Sequence, residues 1–173
     1  MDGFHLTRAQ LSSLPNAAEA HRRRGAAFTF DGAGFLALVR TLRAGPVAPS
    51  PAAATVFAPA FSHAAKDPVA AALAIAPTHR LLVFEGNYVC QAREPWSLSA
   101  ALMDERWFVS VSFPVARARL VRRHVASGVA ADEEAAARRA DENDLPNGRE
   151  IVQLLLPVDE VVDSCEDAAW THE

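Results

Sequence analysis

The sequence contains very little lysine, cysteine and tyrosine. Its 173 residues include sixteen arginines but a single lysine, Lys66, together with two cysteines and one tyrosine. Cys90 and Cys165 lie far apart and show no Cys-x-x-Cys or Cys/His spacing, so neither a zinc site nor a disulfide framework is predicted. Free thiols are typical of a reducing compartment, and we therefore expect a cytoplasmic protein.

Long apolar runs and a strong charge of one sign are also missing. The longest apolar stretch, from 69 to 77, is rich in alanine and ends in proline, well short of the ~20 residues that a membrane span requires. A formal net charge of −4 gives no signature of nucleic-acid binding. Because half of the residues are apolar, one domain over 1–173 with a sizeable core is predicted.

Helix signals dominate the first part of the chain. Asn16 and Glu19 have the spacing of an N-cap and its reciprocal acceptor, and Gly25 is placed as a helix stop. Asp31 is placed to cap a second helix that ends at Gly45. The stretch from 45 to 54, rich in proline and alanine, predicts an exposed loop. Further helices are predicted over 96–103, 115–127 and 130–140.

Short apolar segments predict strands at 55–57, 81–84, 107–111 and 160–162. The segments at 81–84 and 107–111 are continuously apolar, which suits strands that are covered on both faces. Helical sequence follows each of these two segments. Alternation of strands and helices predicts a parallel α/β sheet.

Glu85 and Gly86 follow the predicted strand at 81–84 directly. An acid at the carboxyl end of a parallel strand lies where such sheets bind ligands, and it can hold Mg²⁺ through water. An ordinary turn has the same pattern. Asp2 followed by Gly3 would be a second such acid if a strand preceded it, whereas from composition alone Asp2 is a solvated terminal residue.

Arginines cluster in the helix predicted over 115–127. Arg119, Arg122 and Arg123 share one face and could bind phosphates in a bidentate manner, or they could form a solvated basic face paired with acids. Lys66 and His63 form a polar group that could contact a substrate. Asn143 to Gly148 reads as a turn that could border a nucleotide base.

Taken in order, these segments resemble one family of enzymes. The segments are Met1-Asp2-Gly3-Phe4-His5, Arg24 to Asp31, Phe61-Ser62-His63 with Lys66-Asp67-Pro68, Phe84-Glu85-Gly86-Asn87-Tyr88 and Arg119 to His124. Together they resemble the uridine kinase, phosphoribulokinase and pantothenate kinase-like branch of the P-loop kinases. The resemblance extends through Asn143 to Gly148 and as far as Val162.

The resemblance implies specific roles for the matching residues. Asp2 matches the catalytic aspartate that acts near the acceptor hydroxyl as a base or a substrate ligand, and Glu85 matches the Walker-B-like acid that holds Mg²⁺ indirectly. The acceptor side would include five residues: His5, His63, Lys66, Asn87 and Tyr88. The nucleotide and its lid would involve five more: Arg119, Arg122, Arg123, Asn143 and Asp144. ATP, Mg²⁺ and a small-molecule acceptor are therefore the implied ligands.

One part of the family pattern has no match. The phosphate loop, Gly-x-x-x-x-Gly-Lys-Ser/Thr, belongs upstream of the Asp-Gly-Phe segment, and Lys66 follows Ala65 rather than a glycine. We therefore expect an incomplete P-loop-type parallel sheet with flanking helices, without its first strand, phosphate loop and first helix. The expected function is ATP-dependent phosphorylation of a small hydroxyl compound by the full-length form, with this chain inactive by itself. The alternative is a non-catalytic module that binds a small ligand or a partner.

Overall fold

The computed structural model describes residues 1–45 and 54–166 and divides the chain into two compact units. Unit 1 consists of Met1–Met103 together with Gln153–Leu156. Unit 2 consists of Asp104–Val152 and the residues from Pro157 onward. One domain over 1–173 remains a prediction. The predicted loop from 45 to 54 lies almost entirely outside the described residues.

Helices in unit 1 begin where the sequence supplies caps. The helices are α1 (Arg8–Ser12), α2 (Ala17–Arg22), α3 (Gly32–Ala44) and α4 (Trp96–Ala100), with 3-10 turns at Asp2–Phe4 and Ala27–Thr29. Asp31 caps α3 as predicted, because its carboxylate accepts a hydrogen bond from the Gly34 amide at 2.8 Å. The helix predicted after Asn16 is confirmed as α2, although the Asn16 side chain makes no capping bond.

A β-hairpin forms the sheet of unit 1. Strand β1 (Val56–Ser62) pairs with β2 (Asp67–Ile75) in antiparallel register, and the register shifts between Ala58 and Ala60. The strand predicted at 55–57 is therefore present, but its neighbour is antiparallel rather than parallel. Pro59 lies at the shift, where its missing N–H interrupts no regular ladder bond.

The strand predicted at 81–84 is not observed, so this prediction was wrong for the structure. The segment has no regular secondary structure and no strand pairing among the described residues. Leu81 and Val83 are 81% and 83% exposed instead of being covered on both faces. A strand is stabilised by hydrogen bonds to a neighbouring strand, and the described part of unit 1 supplies none to this segment.

Unit 2 contains the parallel pairing that the sequence predicted. Strand β3 (Trp107–Ser110) pairs in parallel with β4 (Glu160–Asp163), with Trp107 opposite Glu160. The helices are α5 (Phe113–Ala126), α6 (Glu133–Arg139) and α7 (Leu145–Gln153), and a π-helical turn, Ala140–Asp144, joins the last two. Helix α5 begins with proline at its first turn, as helices tolerate well.

The turn predicted at Asn143 to Gly148 was wrong. The chain runs without interruption from the π-helical turn into α7. Pro146 is tolerated because it lies in the first turn of α7. At Gly148, the Phe113 ring lies 3.3 Å from the position that a Cβ would occupy, so a glycine fits closely there. Turn-forming residues therefore did not override helical packing.

Each unit has its own apolar core. In unit 1 the rings of Phe30, Phe35, Tyr88 and Trp96 pack edge to face or tilted, with centroids 5.5 to 6.4 Å apart. In unit 2 a smaller cluster joins Val121 of α5 to Ala136 and Ala140. Within the described ranges no helix is both long and apolar enough to cross a membrane.

Candidate functional site

The 3-10 turn that carries Asp2 is held tightly against strand β1. A Cβ added to Gly3 would lie 2.0 Å from the Pro59 carbonyl oxygen, so only glycine lets the two backbones approach this closely. On the other side of the turn, the Phe4 ring meets the Phe35 ring edge to face at 5.3 Å. The position of Asp2 is therefore fixed by packing rather than left to a mobile terminus.

The structure brings the segments of Asp2 and Glu85 together, although Met1 and Glu85 are 84 positions apart in the sequence. The Met1 ammonium group donates a hydrogen bond to the Glu85 carbonyl oxygen. The Met1 side chain covers Gly86, where an added Cβ would lie 2.0 Å from Met1 Cγ. Among the described residues, neither the Asp2 nor the Glu85 carboxylate has a hydrogen-bond or ion-pair partner, and both residues are exposed. Two exposed carboxylates thus lie on adjoining backbone segments.

His5 lies beside Asp2 in a setting that favours its neutral form. Its Nδ1 is 2.9 Å from the Asp2 carbonyl oxygen, and its ring stacks on Phe30 and Phe61 with centroids 4.0 and 5.0 Å away. Burial lowers the pKa of His5 below its ordinary value and outweighs the opposite effects of the bond to Asp2 and the charge of Asp2. At neutral pH this imidazole is available as an uncharged hydrogen-bonding group.

His63 and Lys66 lie at the tip of the β-hairpin and are exposed. Lys66 has a φ of 54°, a left-handed conformation that the tight turn requires. Beneath the tip, Arg24 donates to the Lys66 and Leu6 carbonyl oxygens and to the Asp67 carboxylate, and its guanidinium lies 5.6 Å from the centre of the Phe61 ring. Arg24 therefore ties the hairpin tip to the segment that follows His5.

Asp67 is the anionic centre of this connection. It accepts hydrogen bonds from the Arg8 amide, the Arg8 guanidinium and Arg24, at 2.9, 3.2 and 2.9 Å. Desolvation by itself would raise the pKa of Asp67, but these bonds outweigh it and hold the pKa below its ordinary value. The sequence did not predict that Asp67 connects these segments, because Arg24 and Asp67 are 43 positions apart and leave no local pattern.

The lowered pKa of Asp67 predicts a specific acid response. Stability that depends on the carboxylate should be fully present above the unfolded-state pKa of about 3.9 and lost as pH falls through the folded-state value. Asp67→Asn should destabilise unit 1 at pH 7 and flatten the acid limb of its stability curve. Urea midpoints between pH 2.5 and 7 measure this, with Asp163→Asn, an exposed aspartate of unit 2, as the matched control. A steep acid limb that persists in Asp67→Asn would contradict the assignment.

Tyr88 is buried and Asn87 is exposed, although the two residues are adjacent in the sequence. The Tyr88 ring is fully buried, and its hydroxyl donates to the Gly25 carbonyl oxygen at 2.7 Å. The predicted substrate contact of Tyr88 is corrected accordingly, because a hydroxyl bonded within the core cannot reach a ligand. Asn87 is exposed at the first position of the turn after Gly86, beside Glu85 in sequence. Asn87 remains a predicted acceptor contact.

A cavity of about 290 Å³ lies in unit 1 beside residues 82–85. Its lining is mainly apolar and comes from the Asp2 turn, α3, the hairpin and this segment. The lining includes seven apolar residues, Met1, Phe4, Phe35, Leu38, Ile75, Leu82 and Phe84, and two polar ones, His79 and Glu85. The backbone of 81–84 makes no hydrogen bond to another described residue. An additional strand could form hydrogen bonds with this unpaired backbone and place its side chains in the apolar cavity.

The predicted lid arginines lie on α5 in unit 2. Arg119 and Arg122 each place a guanidinium nitrogen 3.3 Å from the same Glu166 carboxylate oxygen. Arg117, from the same helix, forms a bidentate pair with Asp141 at 2.7 Å, and this pair lowers the pKa of Asp141. Arg123 is exposed near the end of α5. The pair Arg119 and Arg122 therefore converges on one oxyanion, which is the donor set that a phosphate group requires.

Asn143 and Asp144 lie in the π-helical turn rather than at a free nucleotide-facing loop. Asp144 accepts a hydrogen bond from His124 at 2.7 Å, and the His124 side chain is 8% exposed. Asn143 is buried as well. The bond between His124 and Asp144 joins the end of α5 to the π-helical turn, and π-helical turns are frequent at functional sites. The sequence analysis assigned no role to His124, although this residue directly follows Arg122 and Arg123.

Among the described residues, no group of three or more histidine, cysteine, aspartate or glutamate side chains could by itself hold a metal ion. Mg²⁺ commonly binds through one or two carboxylates together with water and substrate phosphates, so the exposed carboxylates of Asp2 and Glu85 fit that mode. ATP fits in part. Arg119 and Arg122 suit its phosphates, but the sequence contains no Gly-Lys pair and hence no phosphate-loop motif.

Several known proteins resemble this chain over most of its length. An ATP-dependent kinase-like protein of Aspergillus versicolor, notR', is 54% identical over 162 residues, which cover 94% of this chain and 92% of the relative. This chain belongs to the family of ATP-dependent kinase-like proteins. A protein named "putative uridine kinase" from Schizosaccharomyces pombe is 40% identical over 85% of this chain and 60% of its own length. No protein-family model matches the sequence.

Solved structures show that the family fold is that of the P-loop kinases. A structure titled "putative fructose transport system kinase", from Silicibacter sp. TM1040, matches 93% of this chain and 71% of its own, with a TM-score of 0.80 and 32% identity. YFH7 of Saccharomyces cerevisiae, described as a P-loop-containing kinase with a circular permutation, matches 96% of this chain and 57% of its own, with a TM-score of 0.78 and 28% identity. The predicted α/β kinase fold is therefore confirmed.

The share of each relative that this chain covers differs widely. The chain spans nearly the whole of the Aspergillus protein but only about half to three fifths of the uridine kinase-type and YFH7 relatives. A circular permutation moves segments within a chain without removing them, and here no Gly-Lys pair occurs at any position. The absence of a phosphate loop from the 173 residues thus does not depend on the order of segments.

Proposed function

We propose that this chain provides the acceptor side of an ATP-dependent kinase that phosphorylates a hydroxyl group on a small molecule, such as a nucleoside, a sugar or a pantothenate-like compound. The observation that carries the proposal is the meeting of the Asp2 and Glu85 segments in unit 1. Packing holds both segments, while their carboxylates stay exposed and unpaired within the described chain. The kinase names of the relatives favour this function over a binding module without catalysis.

Asp2 is proposed as the acceptor-side acid. Its carboxylate would accept the hydrogen bond of the acceptor hydroxyl and take its proton as the new oxygen–phosphorus bond forms. The bond between the γ-phosphorus of ATP and its bridging oxygen would break in the same step, and ADP would leave. His5, uncharged and stacked between two phenylalanines, would add one hydrogen bond to the same acceptor. Glu85 would hold a water ligand of Mg²⁺, and ATP with Mg²⁺ supplies the phosphoryl group and neutralises its charge.

The phosphate loop must be supplied by polypeptide outside these 173 residues. Phosphoryl transfer depends on positioned backbone amides, a lysine and a metal-binding hydroxyl, and the sequence contains no motif that provides them together. The cavity beside 81–84, with its unpaired backbone, offers a place where a strand from such a segment could pair. Acceptor binding, in contrast, needs only groups that unit 1 already contains.

Acceptor binding by the chain alone tests this proposal. Uridine, fructose and pantothenate should be screened for thermal stabilisation, since a ligand at one hundred times its Kd stabilises by about 2.7 kcal/mol. We expect at least one compound of these three classes to bind. Asp2→Asn should weaken that binding by roughly 10- to 100-fold, because a hydrogen bond to a charged group is lost.

The control is Glu133→Gln, which removes one exposed carboxylate in unit 2 and should leave acceptor affinity unchanged. Equal affinity of the wild type and Asp2→Asn for a compound that binds would exclude Asp2 from the acceptor site. Failure of every nucleoside, sugar and pantothenate-like compound to bind would exclude the proposed acceptor side altogether.

A further inference from the structure

Residues 81–84 form an apolar segment with a basic end and an acidic end. His79 and Arg80 precede the segment, and Glu85 follows it. All three residues are exposed, and within the described chain none of their side chains has a hydrogen-bond or ion-pair partner. The segment therefore presents unpaired basic groups at one end and an unpaired carboxylate at the other.

Between these ends the segment has exposed apolar side chains and an unpaired backbone. Leu81 and Val83 are 81% and 83% exposed. Phe84 anchors the segment from the other side, because its ring packs edge to face on Phe35 at 5.7 Å. The backbone of 81–84 makes no hydrogen bond within the described ranges, so pairing with another strand would break none that the structure shows. Exposed apolar backbone edges of this kind are the ones that pair with other chains.

We propose that segment 81–84 pairs in antiparallel orientation with the same segment of a second copy of this chain, which gives a symmetric dimer. Antiparallel pairing brings the basic end of one copy beside the acidic end of the other, whereas parallel pairing would place like charges together. Each copy supplies the apolar segment and both charged ends, so the second copy is complementary to the first. A strand from a loop-bearing polypeptide would need the same backbone groups, so it and the second copy would exclude each other. The dimer itself does not depend on the proposed function.

Symmetry selects the register of this pairing. In an antiparallel pair with a two-fold axis, one residue lies opposite its own copy. With Leu82 on the axis, Leu81 lies opposite Val83 of the second copy, and His79 lies opposite Glu85 of the second copy. A shift of the axis by one residue in either direction would place one end of the segment opposite an apolar side chain. The register centred on Leu82 therefore matches both the apolar and the charged pairs.

Sedimentation velocity of the full chain from about 1 to 300 μM, the range of weak to moderate affinity, tests the proposal. The wild type should change from monomer to dimer as its concentration rises. Val83→Asp should weaken the dimer at least tenfold, because it places a carboxylate opposite an apolar side chain twice in each dimer. The monomer should keep its fold, since Val83 is 83% exposed. The matched control is Val129→Asp, which makes the same change at an exposed valine of unit 2 and should leave the dimer unchanged.

Exchange of charges tests the antiparallel orientation. His79→Glu places two carboxylates opposite each other, and Glu85→Lys places two basic groups opposite each other, so each variant alone should dimerise about three- to tenfold more weakly. An equimolar mixture of the two variants should recover the affinity, because each altered residue then meets an opposite charge. Both variants keep a negative net charge, so attraction between whole molecules would not explain the recovery.

Cysteine cross-linking under mild oxidation tests the register. On the two-fold axis the Cα atoms of residue 82 in the two copies would be about 4.5 to 5.5 Å apart, so Leu82→Cys should form a disulfide between them. Residue 81 would lie about 7 to 8 Å from its own copy, so Leu81→Cys should cross-link far more slowly. The wild type, with Cys90 and Cys165, measures the background from native cysteines.

Four results would overturn the proposal. They are a wild type that stays monomeric throughout the concentration range, a dimer that Val83→Asp and Val129→Asp weaken equally, a mixture of the charge variants that recovers no affinity, and equal cross-linking of Leu81→Cys and Leu82→Cys.

Discussion

Gly3→Ala is expected to destabilise unit 1 by about 3 kcal/mol or more, a large effect for the addition of one methyl group. The new Cβ would lie 2.0 Å from the Pro59 carbonyl oxygen and 2.4 Å from its carbon, and both atoms belong to backbone held between the paired residues Ala58 and Ala60. Relief requires the Asp2 turn and strand β1 to separate. For a unit of roughly 100 residues the melting temperature should fall by about 12 °C or more.

Gly45→Ala is the matched control for this measurement. Gly45 ends α3 with a negative φ, and a Cβ there would meet only ordinary contacts at 3.5 and 3.8 Å. We expect a change within about 0.5 kcal/mol for this variant. Thermal unfolding of both variants, with acceptor binding measured alongside, would also show whether displacement of the turn weakens the Asp2 site. A Gly3→Ala protein as stable as the wild type would contradict the close approach of the two backbones.

Phosphoryl transfer by the 173 residues alone is expected to be indistinguishable from the uncatalysed background. Loss of one preorganised electrostatic contact costs about 10² to 10³ in kcat, and the phosphate loop supplies several such contacts at once. The transfer of labelled phosphate from ATP to the acceptor that binds the chain measures this directly. The Silicibacter protein, whose title names it a "putative fructose transport system kinase", is assayed in parallel with fructose as acceptor.

Turnover by the purified chain at a rate comparable with the Silicibacter kinase would contradict this expectation. It would require a phosphate-binding arrangement other than the Gly-x-x-x-x-Gly-Lys-Ser/Thr loop, built from the residues of this chain. Arg119 and Arg122 would then be the first groups to replace, since they already converge on an oxyanion. Loss of that turnover in Arg119→Gln would identify the arrangement.

Ordered motifs predicted the family, and they also predicted which segments would meet. Asp2 and Glu85 were paired as candidate acids from the sequence, and the structure joins their segments through the Met1 ammonium group and the cover of Gly86. The helix capped by Asp31 and the strands at 107–111 and 160–162 also followed from local signals, and the structure pairs these two strands in parallel. Caps, apolar runs and glycines act over a few residues, which is why they can be read directly from a sequence.

Features that depend on distant partners could not be predicted in this way. The apolar run 81–84 has every local property of a buried strand, yet a strand also needs neighbours, and the described residues provide none. Asp67 and Glu166 bind arginines through contacts that span more than 40 positions. Tyr88 was assigned to the substrate because the segment from Phe84 to Tyr88 resembles the kinase family, whereas three-dimensional packing places its side chain in the core.

The most direct test of the central claim is phosphoryl transfer after this chain is combined with the remaining part of a related kinase. The part of the Silicibacter kinase that has no counterpart in this chain should be co-expressed with the wild type and with Asp2→Asn, and labelled transfer from ATP to the bound acceptor should be measured. We expect transfer only when both polypeptides are present, and a loss of at least 100-fold in Asp2→Asn. Equal transfer by Asp2→Asn, or equal transfer without the added part, would contradict the account.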